Sequence, residues 1–362
     1  QKNGLWPLVF SGAGLWSWGV SNYGQLGLSN RTDYSSPKQV GALTTWSSIT
    51  AGQFYTLAIK TDGTLWNWGQ NTYGQLGLSN RTNYSSPKQV GALTTWLNIT
   101  AGYAHTLAIK TDGTLWSWGI NTQGQLGLGN ITYYSSPKQV GALTTWSSIT
   151  AGMLYTLAIK TDGTLWSWGQ NANGQLGLGN ITYYSSPKQV GALTTWSSIT
   201  AGGNHTLAIK TDGTLWSWGY NRYGQLGLNN ITYYSSPKQV GALTTWSKIT
   251  AGYFHTLAIK TDGTLWSWGY NGIGALGLGN TTNYSSPKQV GALTTWSSIA
   301  VGLYHTLAIK TDGTLWSWGQ NNYGQLGLGN TTNYSSPKQV GALTTWYTAA
   351  KTFGDFSTAL KT

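Results

Sequence analysis

The nonapeptide TDGTLWSWG recurs without change at Thr111–Gly119, Thr161–Gly169, Thr211–Gly219, Thr261–Gly269 and Thr311–Gly319. A near copy, TDGTLWNWG, begins at Thr61, and a divergent copy, SGAGLWSWG, begins at Ser11. Successive copies lie 50 residues apart. A strict period of this length is typical of arrays of supersecondary units that pack against one another. A catalytic site needs only one set of residues, so the repetition indicates a structural role for this segment.

Each repeat contains four segments with the properties of β-strands. In one copy these are Ser197–Ala201, His205–Lys210, Thr214–Gly219 and Ser236–Val240. The Asp-Gly pair between the second and third segments favours a tight hairpin. Pro237 predicts that the fourth segment is an edge strand, because proline cannot donate to a strand ladder. No segment shows the 3.6-residue period of an amphipathic helix.

Four antiparallel strands per repeat describe the blade of a β-propeller. Trp216 and Trp218 alternate with Leu215 and Ser217, so we expect the two tryptophans on one face of the blade and the other two residues on the opposite face. Both faces of a blade pack against neighbouring blades, which agrees with the lack of charge at these positions. The sequence therefore predicts an all-β fold, a seven-bladed β-propeller of four-stranded antiparallel blades.

The two ends of the chain predict how the ring closes. The first pair of third and fourth strands begins at Leu15, and the last pair of first and second strands begins at Thr348. We expect Phe356–Lys361 (FSTALK) to dock beside Leu15–Gly19, which gives a composite blade from both termini and leaves no free edge. Residues 11–362 then form a single domain of 50-residue repeats. Residues 1–10 are predicted to be an N-terminal tail or an extra strand.

Charge and composition bear on the partner. The net charge is +12. One lysine series is largely balanced by neighbouring aspartates, and the unbalanced series is Lys38, Lys88, Lys138, Lys188, Lys238, Lys288 and Lys338. An even ring of isolated lysines, in place of a clustered patch, argues against a nucleic-acid partner. No apolar run approaches the ~18 residues of a membrane span, so we expect no membrane partner.

The chain has no cysteine, which excludes disulfides and thiolate metal sites. The chain begins at Gln1 and not at Met, so the lack of a visible signal peptide does not assign it to the cytosol. Its low charge and its many Ser, Thr, Asn and Gly residues favour a secreted or cell-surface location over a cytoplasmic one.

The repeat resembles that of a known family. The order W-x-W-G-x-N-x-x-G-Q-L-G-L-G, P-x-x-V and I-T-A-G-x-x-H-T-L-A-I-K-T-D-G is similar to the repeat of the regulator of chromosome condensation (RCC1-type) family. The resemblance covers residues 11–362 and implies a seven-bladed propeller. It also implies two activities: nucleotide exchange on small GTPases, which family members perform with irregular loops and an inserted wedge, and inhibition of β-lactamases by secreted bacterial propellers through one loop-lined face. No blade of this chain carries an inserted wedge.

Several repeated residues are of types found in binding, metal or catalytic sites, and each also has a structural interpretation. We interpret the Trp-x-Trp pairs as blade packing in preference to stacking platforms for sugars or bases. The histidines are interpreted as structural hydrogen-bonding groups, and the T-D-G aspartates as turn residues. These residues are His105, His205, His255 and His305, and Asp62, Asp112, Asp162, Asp212, Asp262 and Asp312. We find no catalytic, phosphate-binding or zinc-binding pattern, so we expect no enzymatic activity, no cofactor and no metal.

A further series, Asn30, Asn80, Asn130, Asn180, Asn230, Asn280 and Asn330, begins N-x-T, and Asn98 does likewise. Such asparagines can carry glycans in a eukaryotic secretory pathway. The preferred interpretation is a loop asparagine that adopts the left-handed conformation.

Differences between repeats are concentrated in two connections. After Ala-Gly, which is Val-Gly in the last case, the copies read QFY, YAH, MLY, GNH, YFH and LYH, and further differences follow W-x-W-G. Because strands alternate in direction, both connections emerge on one face of the disc. Binding residues usually lie on such loops. The predicted contact residues are Phe54, Tyr55, Tyr103, Met153, Asn204, Tyr253, Phe254, Tyr304, Tyr73, Tyr223 and Tyr323.

These patterns favour a non-enzymatic, monomeric binding scaffold that presents one face to an unknown protein or glycan. One alternative is an RCC1-like guanine-nucleotide exchange or chromatin-binding factor. A second is an engineered or recently amplified repeat protein with no evolved partner, in which the loops merely tolerate change.

Overall fold

The computed structural model describes residues 12–362, which contain 28 β-strands and no helix. In chain order the strands are β1 (Gly14–Gly19), β2 (Tyr34–Gln39), β3 (Trp46–Ala51), β4 (Tyr55–Lys60), β5 (Leu65–Gly69), β6 (Tyr84–Gln89), β7 (Trp96–Ala101), β8 (His105–Lys110), β9 (Leu115–Gly119), β10 (Tyr134–Gln139), β11 (Trp146–Ala151), β12 (Tyr155–Lys160), β13 (Leu165–Gly169), β14 (Tyr184–Gln189), β15 (Trp196–Ala201), β16 (His205–Lys210), β17 (Leu215–Gly219), β18 (Tyr234–Gln239), β19 (Trp246–Ala251), β20 (His255–Lys260), β21 (Leu265–Gly269), β22 (Tyr284–Gln289), β23 (Trp296–Val301), β24 (His305–Lys310), β25 (Leu315–Gly319), β26 (Tyr334–Gln339), β27 (Trp346–Ala349) and β28 (Phe356–Lys361).

The strands form seven four-stranded antiparallel sheets, which confirms the predicted propeller. Blade 1 has the strand order β27-β28-β1-β2, and blades 2 to 7 each consist of four consecutive strands from β3 to β26. The proline-containing strand is the outer edge strand of every blade, as predicted. Neighbouring blades contact one another around the whole ring, including blade 7 with blade 1 and blade 1 with blade 2.

Blade 1 is closed by strands from opposite ends of the chain. Strand β28 pairs with β1 from Gly14 opposite Lys361 to Gly19 opposite Phe356. This is the pairing that the sequence predicts, and it extends one residue further, to Gly14. The expectation of a tail or extra strand at 1–10 lies outside the described residues.

The outer strands begin earlier than predicted. Strand β18 spans Tyr234–Gln239, whereas the sequence indicates 236–240. The register of β18 shifts between the partners of Ser217 and Gly219, which forms a bulge. Gly219 has a φ of +99°, and a Cβ there would lie 2.6 Å from the carbonyl oxygen of Asn204. The glycine therefore permits the bend, and the ladder continues to Tyr234.

Apolar residues pack between adjacent blades. In the core between blades 4 and 5, Leu157 and Leu165 of blade 4 face Trp218 of blade 5. Trp218 is fully buried, and its indole N–H donates to the carbonyl oxygen of Gln175 in the preceding repeat at 2.9 Å. Trp216 is only partly buried. Both tryptophans pack against Trp196, so they lie on one face of the blade, as the alternation predicts.

In blades 2 to 7 a T-D-G turn joins the two central strands. The Asp212 carboxylate accepts hydrogen bonds from the backbone N–H of Thr214 at 2.9 Å and from its hydroxyl at 2.6 Å. These bonds hold the pKa of Asp212 below its ordinary value. The turn interpretation of the aspartate series is confirmed, and its carboxylates are engaged within their own turns.

Candidate binding face

The two connections that differ between repeats lie on one side of the disc. We call this side the variable face and define it by residues 52–54 and 70–83 of blade 2 and their equivalents. Side chains from both connections meet across blade boundaries. The ring centroids of Tyr223 and Phe254 are 5.1 Å apart, and those of Tyr270 and Tyr304 are 5.8 Å apart. The opposite side, which we call the uniform face, carries the T-D-G turns and the GALTT connections.

A cup lies at the centre of the variable face, where the connections between first and second strands converge. Its volume is about 190 Å³. Four predicted contact residues line it, together with three residues that the prediction omits: Tyr103, Met153, Tyr253 and Tyr304, and Gln53, Leu303 and Phe353. Burial raises the pKa of Tyr304 to about 12, and neighbouring tyrosines add to the effect. The phenols of the cup are therefore neutral hydrogen-bonding groups at physiological pH.

A lysine lies against the base of this cup. The ammonium of Lys351 lies 4.7 Å from the centroid of the Phe353 ring and donates to the carbonyl oxygens of Ala151 and Ala201. These carbonyls end the inner strands of blades 4 and 5, on the far side of the ring from blade 1. Burial lowers the pKa of Lys351 to about 7. Lys351 thus spans the central channel and connects the composite blade to the two blades opposite.

Aromatic side chains are concentrated in one part of the variable face. We name this group the aromatic sector; it comprises Tyr220, Tyr223, Tyr233, Tyr253, Phe254, Tyr270 and Tyr304 from blades 5 to 7. Neighbouring ring centroids are 4.2 to 6.5 Å apart. Tyr253 and Tyr304 belong to both the sector and the cup. The sector and the cup therefore form one continuous surface.

The other predicted residues lie apart from the sector. Phe54 packs against Tyr23 at 5.2 Å and Tyr73 against Tyr133 at 5.9 Å between ring centroids. The side-chain oxygen of Asn204 accepts a hydrogen bond from Gln175 at 3.4 Å. Tyr323 is 45% exposed. These positions belong to the variable face, and the structure does not join them into one cluster.

Tyr55 is a correction to the predicted contact set. Its side chain is fully buried, and its hydroxyl donates to the carbonyl oxygen of His105 in the next blade. Burial raises the pKa of Tyr55 well above its ordinary value. A partner cannot reach this residue, because it is the first residue of strand β4 and points between blades.

The histidines occupy the same buried position as Tyr55. The His205 Nε2 atom is 3.1 Å from the Thr256 hydroxyl of blade 6. Burial lowers the pKa of His205 to about 3 and that of His255 to about 4. The predicted structural role is confirmed for this series. Within residues 12–362 no cluster of three or more metal-ligating side chains occurs.

The asparagine series requires a second correction. Asn30, Asn80 and their equivalents do not have a positive φ; the residue before each of them does, as in Ser79 and Asn229 with φ of 59°. The Asn80 side-chain oxygen instead accepts the backbone N–H of Thr82 at 3.0 Å, which forms an Asx turn. The asparagine organises the long loop through its side chain, and the left-handed residue is its predecessor.

Sequence reasoning missed Tyr220, Tyr233 and Tyr270 of the sector. A signal was present for two of them: blades 5 and 6 have Tyr directly after W-x-W-G, where the other blades have Val, Gln or Ile. Phe353 and Lys351 lie in the last repeat, which has one additional residue between Trp346 and Phe356 compared with the repeat before it. Lys351 lies in this longer connection, and its side chain extends into the channel.

Comparisons with known proteins agree on one family. A family model described as RCC1-like domain matches residues 133–362, and a model of the regulator of chromosome condensation repeat matches residues 13–59 and 62–109. A second model of that repeat matches residues 46–75 and 97–125. No curated protein sequence matches the chain significantly.

Solved structures share the fold along almost their whole length. Human WBSCR16 is 24% identical, with a TM-score of 0.86 over 96% of this chain and 98% of its own. Prp20p from Saccharomyces cerevisiae is 22% identical, with a TM-score of 0.88 over 97% of this chain and 92% of its own. Yeast RCC1 (Prp20) bound to Kap60 is also 22% identical, with a TM-score of 0.86 over 97% and 89%. The high TM-scores establish a shared propeller fold. At these sequence identities the similarity concerns the fold alone.

Proposed function

This chain belongs to the RCC1-like domain family, and from that premise we propose that it is a non-enzymatic scaffold that binds another protein through its variable face. The observation that carries the proposal is the continuous surface formed by the aromatic sector and the central cup. Tyrosine and phenylalanine contribute large contact area at a small cost in conformational entropy, and tyrosine adds a hydrogen-bonding group.

The rest of the fold supports this role. The loops of the variable face rest on a closed ring whose strands are hydrogen-bonded throughout, so the contact residues are held in position before a partner arrives. The turn aspartates are engaged with their own threonines, and the buried histidines contact the next blade. These groups have partners within the fold, which supports a structural role for them.

The solved relatives support a protein partner. The structure of Prp20p is described together with its binding to Gsp1p and histones, and another structure shows yeast RCC1 (Prp20) bound to Kap60. Three different protein partners are therefore named for one relative with this fold. A glycan bound at the variable face is the alternative that the same aromatic surface would accommodate.

The proposal can be tested on protein and glycan arrays with a sector variant and a matched control. The sector variant carries Tyr253→Ala, Phe254→Ala and Tyr304→Ala. The control carries three changes of exposed threonines in the T-D-G turns of the uniform face: Thr161→Ala, Thr211→Ala and Thr261→Ala. We expect the arrays to yield a protein that binds the wild-type chain. Its affinity for the sector variant should be lower than for the wild type by about 30-fold or more, because central aromatic anchors carry most interface energy.

Thermal unfolding of both variants should show that they remain folded. An equal loss of affinity in the control variant would contradict the assignment of the face. Arrays on which no protein or glycan binds would favour a recently amplified or engineered chain without a partner.

The fold similarity to Prp20p favours a second candidate, an exchange or chromatin-binding function of the RCC1 type. Direct titration against Gsp1p and histones, with Prp20p as the positive control, tests it. Binding to DNA through charge would weaken steeply with salt, because neutralised phosphates release counterions. Tight binding to Gsp1p that accelerates nucleotide release would replace the simple scaffold with this candidate.

A further inference from the structure

A second kind of cavity lies between adjacent blades, outside the aromatic sector and the central cup. Four such grooves occur at equivalent places, with volumes of about 400, 330, 330 and 450 Å³. In the groove between blades 4 and 5, Leu193 comes from the first blade, and Trp216 and Pro237 come from the second. The equivalents of these three residues are also Leu, Trp and Pro at every other boundary between blades. The repeat therefore supplies the same groove-lining residues at every boundary.

The two tryptophans of each W-x-W pair differ in their relation to the groove. Trp218 is fully buried and its N–H is bonded to a carbonyl, so it serves packing alone. Trp216 is half-buried, and its ring lines the groove. Trp196 also lines the groove; within residues 12–362 its buried indole N–H has no hydrogen-bond partner.

Each groove carries a positive charge over its aromatic wall. The Lys210 ammonium lies 3.8 Å from the centroid of the Trp216 ring and 5.2 Å from that of Trp196. Lys260 and Lys310 themselves line two of the grooves. No carboxylate lines any of the four grooves in the described part of the chain. The nearby turn aspartate is engaged by its own threonine.

Polar side chains complete the groove. Gln189 and Ser236 line the groove between blades 4 and 5, beside the backbone of Gly177 and Gly179. An aromatic wall combined with an amide, a hydroxyl and one ammonium matches a sugar ring that carries one acidic group. The apolar face of such a ring packs on indole, its hydroxyls bond to the amide and hydroxyl, and its acidic group pairs with the ammonium. The groove volumes fall within the roughly 300–1,000 Å³ range of small-ligand sites.

We propose that the interblade grooves bind an acidic saccharide, with one acidic sugar per groove. The grooves share no lining residue with the aromatic sector or the central cup, so this inference stands independently of the proposed protein partner. Four consecutive grooves around the ring allow one repeating polymer to occupy several of them, which raises its overall affinity beyond that of a single sugar. Each groove has a single ammonium, which suits one acidic group per sugar better than the closely spaced phosphates of a nucleic acid.

Titration with polygalacturonate, followed by tryptophan fluorescence and calorimetry, tests the proposal. Dextran provides a neutral polysaccharide, dextran sulfate distinguishes sulfate from carboxylate, and oligo(dT) supplies the nucleic-acid comparison. We expect polygalacturonate or dextran sulfate to change the tryptophan emission and to bind, and dextran and oligo(dT) to bind at least about tenfold more weakly.

Two lysine sets distinguish a groove from general attraction to a basic protein. The groove variant changes Lys60, Lys110, Lys160, Lys210, Lys260, Lys310 and Lys361 to Gln. The control variant changes the seven outer-strand lysines, Lys38, Lys88, Lys138, Lys188, Lys238, Lys288 and Lys338, to Gln. Both variants remove seven positive charges. We expect the groove variant to lose at least about tenfold in affinity and the control to lose less than about threefold.

An equal loss in both sets would overturn the proposal, because it would show attraction to net charge alone. Tighter binding of oligo(dT) than of either acidic polysaccharide would also overturn it. If the groove variant fails to fold, replacing the exposed glutamines Gln39, Gln139, Gln189, Gln239, Gln289 and Gln339, together with Gln89, by Ala removes the groove amides without touching the lysines. Unchanged affinity in that variant would likewise refute the groove site.

Discussion

Blade 1 and blade 5 contain the same four strands, but the chain passes through them in different ways. Blade 5 is continuous from β15 to β18, whereas blade 1 takes two strands from each end of the chain. Their central pairings are equivalent: Trp216 lies opposite Ala208 in blade 5, and Trp16 lies opposite Ala359 in blade 1. The inner and outer hairpins of blade 5 are joined by a T-D-G turn, and blade 1 has only strand pairing at that position.

The comparison shows that strand pairing and interblade packing, without a covalent turn, are sufficient to assemble a blade. Blade 1 differs in two side chains near the axis. Phe356 occupies the place of His205, and Lys351 crosses the channel to blades 4 and 5. The closing blade thus has its own means of attachment to the opposite side of the ring.

The largest effect is expected from removing the pairing that closes blade 1. Deletion of Thr352–Thr362 removes all of β28 and exposes the edges of β1 and β27. Unpaired edges associate with other chains, so we expect loss of the cooperative unfolding transition and aggregation. Size-exclusion chromatography with light scattering and thermal unfolding measure both effects.

A circular permutant supplies the control. It joins Thr362 to Gly12 through a short linker and opens the chain in the 91–94 loop, so that blade 1 becomes continuous. We expect this protein to stay monomeric. A truncated chain that is equally monomeric and stable would show that closure does not depend on β28.

The next effect tests whether the two blades are energetically equivalent. Trp18 and Trp218 are both fully buried, and each indole N–H donates at 2.9 Å to a carbonyl oxygen from the neighbouring blade, that of Gln325 and that of Gln175 respectively. We expect Trp18→Ala and Trp218→Ala each to lower the free energy of unfolding by about 3–5 kcal/mol. Denaturant unfolding measures the change. Trp216→Ala, at a half-buried site, should cost less than half as much. A loss much larger at Trp18 than at Trp218 would show that the composite blade is the weaker one.

The smallest effect concerns the residue that differs between the blades. His205 has a pKa of about 3 in the folded protein because of burial, with the charges of His255 and Lys351 adding to the effect. Its pKa in an unfolded chain is about 6.5. Between these values the unfolded state binds a proton that the folded state does not, so stability falls as the pH falls. The expected slope is about 1.4 kcal/mol per pH unit.

His205→Phe gives blade 5 the residue of blade 1 and removes the contribution of His205 to the pH dependence of stability. We expect the difference in unfolding free energy between wild type and variant to change by about 2–3 kcal/mol from pH 6.5 to pH 4.5, with the wild type losing more. Chemical denaturation across this range measures it. Parallel curves for the two proteins would mean that His205 takes up its proton in the folded state at an ordinary pKa.

Much of the fold follows from local patterns that the repeat multiplies. The T-D-G turn, the alternation around Trp216 and Trp218, and the edge proline each have a short-range physical cause, so the blade and its strand order were predictable. The count of strand pairs at the two ends predicted the composite blade for the same reason.

The candidate site was less predictable, because it depends on distances between repeats. Tyr55 and Phe54 are adjacent in sequence, yet one is buried and the other lies on the variable face. Tyr220 and Tyr233 are separated by a loop, and the fold brings their ring centroids to 4.8 Å. No local sequence pattern predicts which residue at the end of a strand is buried and which faces solvent.

The sequence by itself determined a closed ring of seven blades and the two faces on which its differences and identities lie, because each repeat carries the turn, edge and packing signals of one blade. Only the tertiary structure decided which half of each W-x-W pair is sealed and which lines a groove, which tyrosines join into one surface, and that Lys351 spans the channel. These outcomes depend on how neighbouring blades approach one another, and that approach is set by packing across the ring.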